Sequence, residues 1–490
     1  MSTAIESCRC AALGLGNFNA RSIARKRGSL RSGSTHGGFE PFERFGGVVP
    51  LREGSAAPAA CTVAPRATLM GMQWLTPLFL LAVLAGLAVD LWLSQRQALA
   101  VARHRGAVPA PFAGSVSADE HGKAADYTIA KVRFGRIGTV VDAVVLLAFT
   151  VGGGIALIDG LWRRTALSEP WLGVAVIATI GLIAQLLSLP FSIWRTFRLE
   201  ARFGFNRTTP ALFIADLAKG LALSVALGGP LLIATLLLME RAGRWWWLWA
   251  FGLWLAVMFL MAWAWPAFIA PLFNRFTPLE DATLKARIEA LLQRCGFASK
   301  GVFVVDNSRR SSHGNAYFTG IGRHKRIVFF DTLLEHLGHT EVEAVLAHEL
   351  GHFRLKHVRK RLLLSVATMF LGLALLGWLA LQPGFYSALG VPVPSTHAAL
   401  LLFVLVVPVF TFFVTPLASL WSRRHEFEAD AFASHHASAG ELATALVKLH
   451  KDNASTLTPD PVYAAFYYSH PPPLTRITRL RAAATAIPSA

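Results

Sequence analysis

The stretch E-V-E-A-V-L-A-H-E-L-G-H, Glu341 to His352, decides how the rest of this 490-residue chain is read. It holds no Gly or Pro before Gly351, which predicts a helix, and 3.6 residues per turn puts His348 and His352 on one face, one turn apart. Two imidazoles so spaced can share one metal ion, and the intervening Glu349 can reach a water bound to it. A zinc-bound water is about eight pKa units more acidic than bulk water, so Glu349 can take and return its proton as general base. That is the chemistry of peptide-bond hydrolysis. The same short pattern also arises by chance, and a helical His is commonly a surface or capped residue, so a third ligand has to decide between the readings.

H-E-F-E-A-D, His425 to Asp430, offers one. On a helix Glu426 and Asp430 share a face while Glu428 points away, so Glu426 can ligate and Asp430 can orient a metal-bound His from behind. A solvated acidic helix face is the alternative for this segment.

Both motifs adjoin apolar runs. The chain is 54% hydrophobic and 16% charged, with mean hydropathy +0.47; soluble domains carry about 25% charged residues, so this is a polytopic membrane protein. The net charge of +18 lies mainly in loops and in the first segment, and reads as topology and not as a nucleic-acid surface. Residues 1–69 stand apart, with nine basic and four acidic residues, three of the four cysteines and no sustained periodicity. They read as a transit-type or disordered arm, or as a mis-assigned stretch before a start at Met70 or Met72, and the second reading is preferred. The body then keeps one cysteine, Cys295, and has no intrachain disulfide.

Seven apolar stretches approach the roughly 20 residues that cross a bilayer: near Trp74 to Leu93, Val140 to Leu161, Trp171 to Trp194, Leu221 to Met239, Trp247 to Trp265, Leu362 to Leu381 and Ala398 to Leu420. Pro190, Pro230, Pro408 and Pro416 predict kinks. Arg and Lys crowd the first and third connections, and by the positive-inside rule these, the fifth connection and the carboxyl terminus are cytoplasmic, with both candidate metal segments. The fifth connection is the one sizeable polar insert. In it Leu284 to Cys295 has helical periodicity, and G-V-F-V-V-D (Gly301 to Asp306) and R-I-V-F-F-D (Arg326 to Asp331) predict short strands around N-A-Y-F-T, Asn315 to Thr319. Such a sheet could hold an extended substrate at its edge, or be a structural hairpin. The expected division is 1–69 arm, 70–265 membrane helices one to five, 266–361 protease insert, 362–421 helices six and seven, and 422–490 the rest of the protease domain.

Taken in order, L-P-F-S-I-W-R-T-F-R-L-E-A-R-F-G-F-N (Leu189 to Asn206), A-P-L-F-N-R-F-T-P-L (Ala270 to Leu279), S-R-R-S-S-H-G-N-A-Y-F-T-G (Ser308 to Gly320), H-E-L-G-H, S-R-R-H-E-F-E-A-D-A-F-A (Ser422 to Ala433) and Y-S-H-P-P (Tyr468 to Pro472) resemble the type I CAAX prenyl proteases, from about residue 74 to 482. The resemblance implies a mainly α membrane protein, with seven transmembrane helices around an intramembrane chamber and a zincin-type (gluzincin) protease domain with a small β-sheet. It implies one zinc per chain, held by His348, His352 and Glu426, with Glu349 as general base. It also implies that His470 lies beside the scissile carbonyl with Arg476 as its charged companion, and that Asn315 binds the substrate strand. The expected substrate is a peptide or protein, C-terminally prenylated in eukaryotic members; the other partner is the lipid bilayer, and nucleic acid is not one. The short sixth connection, Gln382 to His397, suggests a bacterial relative in an inner membrane, where a quality-control endopeptidase with non-prenylated clients is the alternative. A transporter would account for intramembrane Asp216 and Lys219, but no internal repeat supports it and it leaves H-E-L-G-H unexplained.

Overall fold

Helix dominates because the apolar runs, once in lipid, must satisfy every backbone group internally. The structure, a computed structural model, describes residues 72–297, 301–319 and 326–486; the expectations placed on residues 1–69 lie outside the described residues. The first span is α1, Leu75–Arg103. Helix α2, Ala118–Phe149, begins at a capping box in which Ser117 and Glu120 satisfy each other's backbone N–H groups, and α3, Gly154–Trp162, follows it.

Here the structure differs from the single second span expected over Val140 to Leu161: α2 and α3 meet at a 51° bend. The cause is V-G-G-G-I. Gly153 sits at φ +78°, and a Cβ on Gly152 would stand 2.8 Å from the Ala148 carbonyl oxygen, so the turn admits no larger residue. The next spans are α4 (Trp171–Trp194), the pair α5 (Pro210–Leu223) and α6 (Gly229–Arg241), and α7 (Trp246–Ala264). Pro190 lies inside α4, which passes into a π turn at Arg195–Glu200; Pro230 follows a second π turn, Ser224–Gly228.

The polar insert supplies β1 (Phe276–Pro278), α8 (Ala282–Arg294), β2 (Val302–Val305), β3 (Ala316–Thr319), β4 (Arg326–Phe330), the short α9 (Asp331–Leu334) and α10 (His339–Arg354). The sheet order is β1-β2-β4-β3. Strands β2 and β4 pair in parallel, Val302 opposite Ile327, so they are not the two arms of a hairpin; β3 pairs antiparallel with β4, Ala316 opposite Phe329, and forms an edge. Helix α11 (His357–Leu379) returns to the membrane, α12 (Pro383–Ala388) caps the far side, and α13 (Thr396–Thr411) runs through a 3-10 turn into α14 (Thr415–His436). Pro408 lies within α13 and Pro416 in the first turn of α14, on either side of that turn. Helices α15 (Ala439–Asp452), α16 (Pro461–Tyr467) and α17 (Pro473–Ala486) complete the protease end.

Among the described residues six helical segments are long and apolar enough to span a membrane, and the bent pair makes up to seven. The apolar windows of the six are only 6 to 28% buried, leaving most of their apolar surface to face lipid. Apolar packing among the described residues forms two large clusters and a small one around Tyr127, Phe203 and Phe205. One core joins Phe79, Ile155, Leu236, Phe385 and Leu402; the other joins Phe112, Ile288, Phe329, Val342, Leu346 and Ile477 under the protease site. Cys295 is buried in the second and unpaired.

Candidate metal centre

Helix α10 starts at Gly338, whose N–H donates to Glu341, and Lys448 of α15 ties down the same carboxylate at 2.8 Å. It runs through Gly351 without a break because α14 passes so close: a Cβ at Gly351 would lie 3.1 Å from Ala429 Cα and 3.1 Å from Phe432 Cβ. That approach carries Glu426 under the two histidines. His348 Nε2 and His352 Nε2 are 3.3 Å apart, and each lies 3.4 Å from a Glu426 oxygen. A tetrahedral ion with ligand arms of about 2.05 Å has edges of about 3.3 Å, so the two imidazole nitrogens stand one such edge apart, and each faces its own Glu426 oxygen, Oε2 for His348 and Oε1 for His352. The chemistry of the set agrees. Glu426 is 1% exposed, and its Oε2 makes no hydrogen bond among the described residues; a buried anion facing two imidazole nitrogens calls for a cation.

The remaining predicted residues are arranged around this triplet. Asp430 Oδ1 lies 2.9 Å from His348 Nδ1 and both of its oxygens accept from Arg476, at 2.7 and 2.6 Å. Arg476 is 5% exposed and reaches within 3.8 Å of Glu426, so it backs both carboxylates. His470 Nε2 is 3.3 Å from Glu426 Oε1, on the more open side, its side chain 26% exposed. Glu349 lies between the ligand histidines on α10, half-buried. Asn315 leads into the edge strand, its carbonyl accepting from Phe330 N–H at 2.9 Å.

Electrostatics separate the histidines. Burial and the Arg476 guanidinium press the His348 imidazolium to deprotonate, but the neighbouring Asp430 and Glu426 carboxylates outweigh both and hold its pKa up at about 9. Burial dominates at His470, against the pull of Glu426, and its pKa falls to about 4. At neutral pH His470 is therefore an uncharged imidazole that can donate one N–H.

Two supports escape the sequence reading. The Y-S-H-P-P segment is pinned from the membrane side: Arg96 binds Asp460 through two nitrogens, at 3.2 and 3.0 Å, and Arg423 donates to the carbonyls of Ala464, Ala465 and Tyr468. The loop before Asn315 is anchored by Arg310, which reaches Asp216 at 3.2 Å, Asn274 at 2.7 Å and the Phe273 carbonyl at 2.9 Å. Asp216, one of the intramembrane polar groups noted above, thus holds the protease domain to α5. Only the paired occurrence of Asp216 in a span and R-R in S-R-R-S-S-H-G-N could have hinted at this.

The comparisons agree with this geometry. Residues 97–275 match the family description "CAAX prenyl protease N-terminal, five membrane helices", and residues 278–484 match "Peptidase family M48". The chain is 34% identical to "CAAX prenyl protease 1 homolog" of Oryza sativa subsp. japonica over 76% of this chain and 90% of that protein. It is 34% identical to "CAAX prenyl protease 1" of Saccharomyces cerevisiae over 73% and 85%. A solved structure, "Crystal Structure of S. mikatae Ste24p", superposes with TM-score 0.75 at 31% identity, covering 84% of this chain and 99% of that one. With the membrane helices matching one family domain and the helix pair that carries the candidate ligands matching the other, the chain belongs to peptidase family M48, among the CAAX prenyl protease type members, and is a multi-pass integral-membrane metalloendopeptidase.

Proposed function

We propose that His348, His352 and Glu426 hold one zinc ion and that the protein cleaves peptides beside a C-terminal prenylated cysteine. The carrying observation is the spacing of 3.3 and 3.4 Å among the three side chains, two of them buried and His352 part-buried. Zinc bound there supplies an acidified water and polarises the scissile carbonyl. Glu349 accepts the water proton at its carboxylate and returns it to the leaving nitrogen. His470, uncharged, donates an N–H toward the carbonyl oxygen as negative charge develops there. Arg476 keeps Asp430 in place, and Asp430 accepts the Nδ1 proton of His348, leaving Nε2 free to ligate. Asn315 and β3 pair with the extended peptide by strand addition. The ring of spans gives an apolar chain room beside the site. We place the protease face on the cytoplasmic side of a bacterial inner membrane, on the loop-charge asymmetry and the compact loops.

Burial of a prenyl chain offers roughly 0.8 kcal/mol per methylene, enough for a farnesyl group to dominate the affinity of a short peptide. The test compares a farnesylated C-a-a-X peptide with its unmodified counterpart in detergent. The modified peptide should be cut much faster, and Asn315→Ala or His470→Ala should lose most of that rate. Equal rates on both peptides, with rapid cleavage of misfolded membrane proteins, would instead assign the chain to quality control.

A further inference from the structure

We infer that Glu428 and His357 form a positioning chain behind His352, fixing which of its ring nitrogens meets the metal; this rests on the metal site proposed above. Neither residue belongs to the ligand set. His357 opens α11 immediately after Lys356, whose backbone at φ +61° turns the chain back toward α10. The imidazole is 1% exposed and lies parallel against His425, ring centroids 4.0 Å apart at 14°. Its Nδ1 is 3.1 Å from His352 Nδ1 and its Nε2 is 2.9 Å from Glu428 Oε2. Glu428 Oε1 in turn accepts from Arg424 Nε at 3.2 Å.

These contacts admit one arrangement of protons when His352 ligates through Nε2. His352 Nδ1 then carries its hydrogen and donates to His357 Nδ1, which must be the acceptor nitrogen of a neutral ring. His357 Nε2 carries the other hydrogen and donates to the Glu428 carboxylate. The polarity of the chain runs outward from the metal, and the carboxylate raises the basicity of His352 through the intervening ring. His348 has the direct version of the same support in Asp430. The two ligand histidines are thus backed unequally, one by a carboxylate held by Arg476 and one through a second imidazole.

His357, His425 and Glu428 also bring ligand atoms within 4.8 Å of one another, and His425 Nδ1 is buried and makes no hydrogen bond among the described residues. A second ion there would need the lone pair of His357 Nε2. The His357 hydrogen would move to Nδ1 and face the Nδ1 hydrogen of His352 across 3.1 Å. Two donors opposed at that distance disfavour a second ion while the first is bound.

The test is equilibrium zinc affinity, with the visible spectrum of the cobalt(II)-loaded protein as a readout separate from activity, on the full chain in detergent. His357→Ala should weaken zinc by about 10- to 100-fold and shift the cobalt spectrum. His357→Asn, whose amide oxygen can accept from His352, should recover most of the loss. Glu428→Ala, at a half-exposed position that folding tolerates, should cost about tenfold, and Glu428→Gln less. Unchanged affinity and spectrum in both His357→Ala and Glu428→Ala, while Glu426→Ala loses its metal, would overturn the chain alone. Two zinc ions per chain, one lost in His425→Ala, would overturn it in favour of a second site. Retention of metal by Glu426→Ala would instead remove the metal-site reading on which the chain depends.

Discussion

A buried carboxylate between two histidines makes metal loading a competition with protons. The proton on His348 is the competitor: Asp430 and Glu426 prevail over burial and Arg476 and hold its pKa up at about 9. Ligation needs that ring's Nε2 free, so zinc displaces a proton at any pH below about 9. Affinity should fall by about tenfold per unit as pH drops from 8 to 6. Chelator competition at pH 6, 7 and 8, corrected for the chelator's own protonation, checks this; a flat affinity would mean that His348 does not ligate. The neighbouring carboxylates should separate by role. Glu426→Ala should strip most of the metal, whereas Asp430→Ala should cost about 10- to 100-fold, since it removes only the acceptor behind His348. Glu349, His348 and His352 were legible in the sequence because a five-residue pattern on one helix fixes their relation. His357 was not, although it stands five positions past His352, because its partner Glu428 comes from 71 residues further along. The orientation of Glu428 away from the ligand face was readable; what it turns toward was not.

At the scale of elements, the site exists because α10 and α14 approach closely at Gly351. A methyl there must push on Ala429 and Phe432, and overpacking of this kind typically costs about 1–3 kcal/mol. Gly351→Ala should lower the thermal midpoint and weaken zinc binding together, because the same displacement moves Glu426. Loss of thermal stability with unchanged zinc affinity would show that the spacing of α10 and α14 does not set the ligand geometry. Local pattern predicted the metal helix, the helix over Leu284 to Cys295 and the two inner strands correctly, each from its own periodicity. It did not reveal the parallel pairing of β2 with β4, which depends on residues more than twenty positions apart, nor β1, whose three residues carry no strand period. The second span was expected as one helix because hydropathy averages over V-G-G-G-I and does not sense that Gly153 leaves the helical region.

Over the whole molecule, ion pairs among the polar contacts that fasten the protease domain to the membrane helices include Arg310 to Asp216 and Arg96 to Asp460. The first is largely buried, with side chains 15% and 3% exposed, so Arg310→Ala leaves Asp216 with Lys219, 3.7 Å away, in place of its closest cation and should cost about 1–3 kcal/mol. Thermal unfolding of the purified variant measures it; a midpoint within a degree of the parent would mean that the pair does no anchoring. The orientation proposed from loop charge predicts that residues near Pro109 and Ala490 react with a reagent confined to the cytosol and that a site near Pro394 does not. Labelling at Pro394 would invert the topology. The number of spans was readable from composition, since roughly 20 apolar residues are needed for each; the polar fastenings were not, since each joins segments that only the folded chain brings together. The account as a whole rests on one ion and one base with separate roles. Zinc analysis of purified protein and of its Glu349→Gln variant is therefore the most direct measurement. About one zinc per chain in both, with hydrolysis reduced by at least about 100-fold in the variant, is the predicted result; active protein without zinc, or full activity without Glu349, would contradict it.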